Sequence, residues 1–315
     1  MSQVHLALAL GDAHPDRPSS WLQLVWAARE AERALLDLVT LDAPAGRGVA
    51  GYEDDELAAV LAATNLATVT RSTGLLPTVH AGHTEPGRLA RAVEELHRVS
   101  GGRAGVQLRV PVPADEEGWV RTIRRRWIGD DDGDAPLVAL PGRAVGRRGR
   151  GRHAAPPASA DLAFVAPDDT AAAARQAAAL TAGRRSDGPR HLLGDVVVVL
   201  DDRADRARAR AKQLLNGEGA HSSTAPEGAL RFVGTPSQLA DLAQQWRAAG
   251  LAGLRLHPAD PVRDLLAVTR GLVPELQRRG AFRRDYAEAT LRDRFDRQHT
   301  GQRKGVAPQV RRVAA

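Results

Sequence analysis

Apolar positions along the chain fall into two alternating kinds of run. Short, near-continuous ones such as Val4–Leu10 (Val-His-Leu-Ala-Leu-Ala-Leu) have the composition of strands buried on both faces. Between them lie longer stretches with apolar residues three and four apart, the spacing that lines one face of a helix. The stretch from Gly74 to Val110 shows the whole unit. Gly74 to His80 predicts a strand, Glu85 to Ser100 a helix with Leu89, Val93, Leu96 and Val99 on one stripe, and Val106 to Val110 a second strand. Ser100-Gly101-Gly102 stops that helix, because consecutive glycines supply the left-handed conformation needed at its end. A parallel strand pair joined by a right-handed crossover follows.

The same alternation runs through the rest of the chain. Further strands are predicted at Leu36–Leu41, Leu137–Leu140, Leu162–Val165, Val196–Leu200 and Gly253–His257. Helices are predicted from Trp21, from Asp54-Asp55, over Glu116–Ile128, from Thr170 to about Ala182, from Asp201-Asp202 to about Leu215, from Thr235-Pro236 to Ala249, and over Pro261–Gly280. Asn216 to Gly228 is a polar, glycine-rich excursion with neither period. Eight strands alternating with helices predict an α/β protein, a single (β/α)8 TIM barrel over residues 1–295. Residues 296–315 carry no apolar pattern and predict a basic, disordered tail. An open doubly wound sheet is the alternative, but its Gly-x-Gly-x-x-Gly turn is missing from Leu10-Gly11-Asp12-Ala13-His14-Pro15. In a barrel, chemistry collects where the strands run out into their βα loops, here around Thr78, His80, His83, Gln107 and Arg109.

Composition narrows the chemistry. With no cysteine there is no disulfide framework, thiolate metal site or cysteine nucleophile. No apolar run approaches the ~20 residues of a membrane span, and Val4–Leu10 is too short and lacks the basic start of a signal peptide, so a cytoplasmic protein is expected. Five arginines of the net +6 chain (143, 147, 148, 150 and 152) stand in one acid-free stretch, and the remainder is nearly balanced. Aromatics at 3% are too sparse for base-stacking platforms, which makes a nucleic-acid partner unlikely. No His-x-x-x-His or His-Glu-x-x-His pair suggests a metal, and no Gly-x-Ser-x-Gly suggests acyl transfer.

Three stretches carry a family resemblance: Glu85-Pro86 with Leu89-Ala90-Arg91 and Ser100-Gly101-Gly102-Arg103-Ala104-Gly105; Val233-Gly234-Thr235-Pro236 with Ala240-Asp241; and Val273-Pro274-Glu275-Leu276-Gln277-Arg278-Arg279-Gly280 on through Phe282-Arg283, Tyr286 and Thr290-Leu291-Arg292. In these the chain resembles the bacterial luciferase-like flavin-dependent monooxygenases, in particular the nitrilotriacetate and dibenzothiophene-sulfone monooxygenase branch. The resemblance implies a (β/α)8 barrel, reduced FMN as cofactor, a separate NAD(P)H:flavin reductase, a small organic substrate and a homo-oligomer. The chain also departs from the pattern. Small hydroxyl residues usual at the third strand's end are reduced to Thr78, followed by His80-Ala81-Gly82. Val106-Gln107 replaces tryptophan-asparagine, and only Asp115–Asp134 stands where the family has a long insertion after strand four. The phosphate loop, Gln-Ala-Gly-x-Ser-x-x-Gly in relatives, reads Leu140-Pro141-Gly142-Arg143-Ala144-Val145-Gly146.

Each candidate residue has a functional and a plain reading. Gly142 would let the backbone approach a phosphate and Arg143 and Arg147 would add charge-assisted contacts; otherwise this is a solvated arginine loop. His80 and His83 sit where an imidazole would exchange a proton at the barrel mouth, or they are ordinary loop histidines. Thr78 and Gln107 would face the flavin, Gln107 as donor and acceptor on its ring edge or as a satisfied interior side chain. Asp42 would orient a base or cap the next loop, and His5 reads as interior filling. The function expected is flavin-dependent oxygenation by a two-component system. The alternatives are a non-catalytic barrel that binds a flavin derivative or another anion, and an anion or nucleic-acid binder acting through the arginine run.

Overall fold

Side chains of a strand point alternately to its two faces, and in the barrel strands of this chain both faces are buried. The computed structural model describes residues 3–11, 21–42, 57–112, 115–127, 135–142, 160–181, 191–215, 225–226 and 228–296. Its elements are, in order, β1 (His5–Gly11), α1 (Trp21–Arg33), β2 (Leu38–Asp42), α2 (Ala58–Val69), β3 (Gly74–His80), a 3-10 turn (Ala81–His83), α3 (Pro86–Ser100), β4 (Gly105–Arg109), α4 (Glu116–Trp127), β5 (Leu137–Pro141), β6 (Leu162–Val165) and α5 (Thr170–Thr181). There follow β7 (His191–Leu200), α6 (Ala204–Leu215), β8 (Leu230–Gly234), α7 (Pro236–Ala248), β9 (Gly253–Pro258), α8 (Arg263–Ala267), a π-helical turn (Val268–Leu272), α9 (Val273–Arg278) and α10 (Leu291–Asp296).

Every pairing among the described strands is parallel, and the ring closes. Strands β1 to β7 pair in sequence, and β9 lies between β7 and β1, so eight strands make a barrel. The open-sheet alternative is thereby excluded. A ninth strand, β8, hangs on β7: β6 occupies that edge from His191 to Gly194, and β8 takes it over from Val196 to Leu200. The sequence pattern gave β8 no signature because only Gly234 of its five residues is fully buried. Strand β7 begins at His191, ahead of the Val196–Leu200 run that predicts it, and Gly194 and Asp195, which interrupt the apolar pattern, hide its first half. Asp195 faces inward, while a Cβ at Gly194 would run into the Trp246 ring.

Two apolar cores result. Leu6, Leu8 and Leu10 of β1 and Leu256 of β9 belong to the outer core, with Leu24 and Ala28 of α1. Ala7, Leu38, Leu76, Leu137, Ala139, Leu162, Phe164 and Leu193 fill the lumen. Helix α10 closes the lumen at the strands' amino ends: Phe295 stacks on His5 at 4.3 Å, and Leu291 lies against Gly74. His5 is interior filling, as its place in the first strand suggests. Its Nδ1 meets Asp37 at 2.8 Å, and the same carboxylate takes Arg283. Burial pushes the Asp37 carboxyl up, but Arg283 and His5 outweigh it and hold it well below the ordinary carboxylate range.

The single helix predicted over Pro261–Gly280 is broken by the π turn. Pro274 has no N–H to return to the carbonyl of Arg270, so the hydrogen-bond ladder widens just before it. No described helix is long and apolar enough to cross a membrane.

Candidate active site at the carboxyl ends of the barrel strands

Register places the polar side chains. Thr78 on β3 pairs with Gln107 on β4, and two residues further along His80 pairs with Arg109, so the four stand in two steps up the inner wall. Thr78 Oγ1 donates to Gln107 Oε1 at 3.2 Å, and Arg255 Nη1 donates to the same oxygen at 2.8 Å. An arginine can only donate, which fixes the oxygen of the carboxamide toward it and leaves the NH2 as what Gln107 has to offer.

Arg255 stands on β9, on the opposite wall from β4, and its side chain crosses the lumen. Its Nε donates to Asp195 Oδ1 at 2.5 Å, and its guanidinium lies 3.9 Å over the Phe164 ring. His257, two residues beyond Arg255, brings Nε2 to 2.8 Å from the same Asp195 oxygen. Burial pushes the Asp195 carboxyl up, but Arg255 and the hydrogen bond from His257 prevail and hold it below the ordinary range. Gln107, Asp195, Arg255 and His257 are each at most 1% exposed. The lumen is therefore sealed by a charge-balanced polar layer lying on an apolar one. At the rim above it, His80 and Arg109 are half-buried, and Arg109 Nε is buried without a hydrogen-bond partner.

The carboxyl ends of β3 and β4 thus carry Thr78 and Gln107 at this layer and His80 and Arg109 above it. No family model matches the chain. Nitrilotriacetate monooxygenase component A of Aminobacter aminovorans is 33% identical over 100 residues, 31% of this chain and 20% of that protein. N-acetyl-S-(2-succino)cysteine monooxygenase of Bacillus subtilis (strain 168) is 40% identical over 65 residues, 20% of this chain and 15% of that protein. The matched stretches thus span no more than a fifth of these curated relatives. EDTA monooxygenase from Chelativorans sp. BNC1 superposes with a TM-score of 0.68 at 17% identity, over 93% of this chain and 98% of that one. The chain folds as a luciferase-like barrel. Solved barrels of this fold include an oxygenating component of a monooxygenase in complex with FMN (12% identity, TM-score 0.60, 87% of this chain and 98% of that one). They also include an F420-dependent secondary alcohol dehydrogenase with an F420-acetone adduct (13% identity, TM-score 0.60, 88% and 99%).

The luciferase-like barrel brings some of the expected site residues together. Thr78, Gln107 and His80 share the carboxyl-end wall of β3 and β4, Asp42 is the last residue of β2, and His83 closes the 3-10 turn after β3. Gly142 directly follows β5. Its N–H donates to the Phe164 carbonyl, and a Cβ there would collide with that oxygen and with Val165, so close packing of β5 on β6 by itself requires glycine. Arg143 and Arg147 lie outside the described residues, as do the other arginines of that run and the tail beyond Asp296. Among the described residues, no group of three or more His, Asp or Glu is placed to hold a metal ion.

Asp195, Arg255 and His257 were missed. Their signal was present: Gly253-Leu-Arg-Leu-His alternates polar and apolar within a fully buried strand, so the polar set had to face a lumen. What the sequence lacks is the pairing across the barrel, since Arg255 and Gln107 are separated by 148 positions.

Proposed function

We propose that this luciferase-like barrel is the oxygenating component of a two-component flavin monooxygenase. It takes reduced FMN from a separate NAD(P)H:flavin reductase and inserts one oxygen atom of O2 into a small organic substrate, the other leaving as water. The observation that carries this reading is the donor-bearing wall of β3 and β4 at the carboxyl ends of the strands, where this fold places its chemistry. The Gln107 NH2 suits the acceptor edge of a flavin ring, and the hydroxyl oxygen of Thr78, whose proton goes to Gln107, can accept. Reduced FMN bound there would supply the two electrons that divide O2 between substrate and water.

The residues themselves would bind, orient and keep water out. Thr78 and Gln107 orient the ring, with Asp42 beside them at the end of β2. Gly142, directly after β5, would let the backbone approach the flavin phosphate, with Arg143 and Arg147 to hold it. The His80 imidazole would take or give the substrate's proton, with His83 the next candidate. The polar layer of Arg255 and Asp195, joined through Asp195 Oδ1 and Gln107 Oε1, gives the site a floor.

Anaerobic titration of the protein with FMN and reduced FMN, read by flavin fluorescence and absorbance, tests the binding half. No saturable binding of either form would remove the proposal, and saturation by F420 alone would reassign the cofactor. Alanine at both Arg143 and Arg147 should weaken FMN by about 1.5–3 kcal/mol per lost charge-assisted bond and leave riboflavin unchanged. With reductase, NAD(P)H and O2 supplied, His80→Ala should lower substrate-dependent oxygenation by ~10- to 10^4-fold. Unchanged turnover would clear His80 and pass the role to His83.

A further inference from the structure

We infer that Arg109 is a substrate-binding residue that gives the barrel mouth a preference for carboxylate-bearing substrates. This rests on the proposed function only in assigning the anion to the substrate.

Among the described residues, Arg255 and Arg109 point inward from opposite walls, and the structure treats them differently. Arg255 is fully buried and neutralised by Asp195, with Gln107 and the face of Phe164 also against it. Arg109 lies one step further up β4, and no described carboxylate or carbonyl meets it. Its Nε is nevertheless withdrawn from solvent and unpartnered. A guanidinium held that way is a donor awaiting an acceptor, and its planar fork matches a carboxylate with two parallel bonds. Strand geometry fixes where it points. Residues 107 and 109 share one face of β4, and since Gln107 faces the lumen, Arg109 faces inward one step nearer the carboxyl ends of the strands. His80, its register partner on β3, stands beside it, so an anion on Arg109 would lie next to the imidazole proposed to move the substrate's proton. The chain just beyond is held in place: a Cβ at Gly82 would meet the Pro111 ring at 2.9 Å, so the turn after β3 packs on the end of β4.

Glutarate, its neutral diamide glutaramide, and the pair FMN and riboflavin discriminate the sources of the anion. The full-length protein and its Arg109→Met and Arg109→Lys variants would be titrated calorimetrically with glutarate and glutaramide, without flavin. Glutarate should bind the native protein, weaken by about tenfold or more in Arg109→Met and by a smaller factor in Arg109→Lys, while glutaramide shows no such ranking. Equal glutarate affinity in the native and Arg109→Lys or Arg109→Met proteins would overturn the inference, as would no glutarate binding to the native protein. A loss of FMN relative to riboflavin in Arg109→Met would also overturn it, by assigning Arg109 to the flavin phosphate. Because the glutarate titrations contain no flavin, failure of FMN to bind would remove the proposed function and leave this result standing. Should Arg109→Met not fold, Arg109→Lys carries the test.

Discussion

Arg255 shows most plainly what a single residue does here, because it holds together side chains from three strands. Truncating one partner of a buried pair leaves the other charged and unpaired, which costs more than the pair itself contributes. Arg255→Leu is therefore expected to destabilise the protein by about 3–5 kcal/mol, read from the midpoint of guanidinium unfolding. Adding Asp195→Leu should restore part of that loss, and a double variant worse than the single would refute this account of the layer. Asp195 and Asp37 also set the acid limit. Both carboxyls sit below their ordinary value of 3.8 in the folded protein. A depressed carboxyl contributes stability that is fully present above its unfolded value and is lost as pH falls through the folded one. Stability should thus hold from neutral pH down to about 4 and fall below it, with Asp37→Asn showing a shallower acid slope. An unchanged slope in Asp37→Asn would clear that carboxylate.

At the scale of elements, the ends of helices were among the best-specified parts. Gly101 and Gly102 take φ of 66° and 86° after α3, the left-handed conformation their sequence called for. Thr235 caps α7, receiving the Gln238 N–H at 3.3 Å while the Gln238 side chain accepts from the Thr235 N–H at 3.0 Å. Thr235→Ala should cost about 1 kcal/mol, and Thr235→Ser should restore most of it, measured by thermal unfolding. Interruptions inside elements were harder to anticipate. The π turn before Pro274 and the polar start of β7 break the period that a pattern relies on, and both are local answers to a missing donor or a facing lumen.

For the molecule as a whole, the two ends of the barrel divide the work. The amino end is closed by α10, whose Arg294 reaches the Asp37 carbonyl at 2.5 Å and the Ser72 carbonyl at 2.8 Å. Arg292 adds Asp161 at 3.1 Å, and that carboxylate also takes Arg124 of α4 at 2.7 Å. Residues at this end serve stability, while the proposed site lies at the carboxyl end. Phe295→Ala, which empties the lumen beneath His5, should cost about 3–5 kcal/mol of unfolding free energy. The FMN affinity of the folded protein should be unaltered, and a weakened FMN titration would show that the ends are not independent.

Local order is what the sequence by itself determined: the alternation of strand and helix, the stops and caps, and the inward or outward parity of Thr78 with His80 and of Gln107 with Arg109. These follow from periodicities of two and 3.6 residues, which neighbours in the chain are enough to impose. The edge strand β8 and the α10 plug were decided only in three dimensions. The same is true of the site's electrostatics. Which of two inward arginines is neutralised depends on a carboxylate 60 positions away on β7, and no pattern within β4 or β9 records that Asp195 stands beside Arg255 and that no described carboxylate meets Arg109.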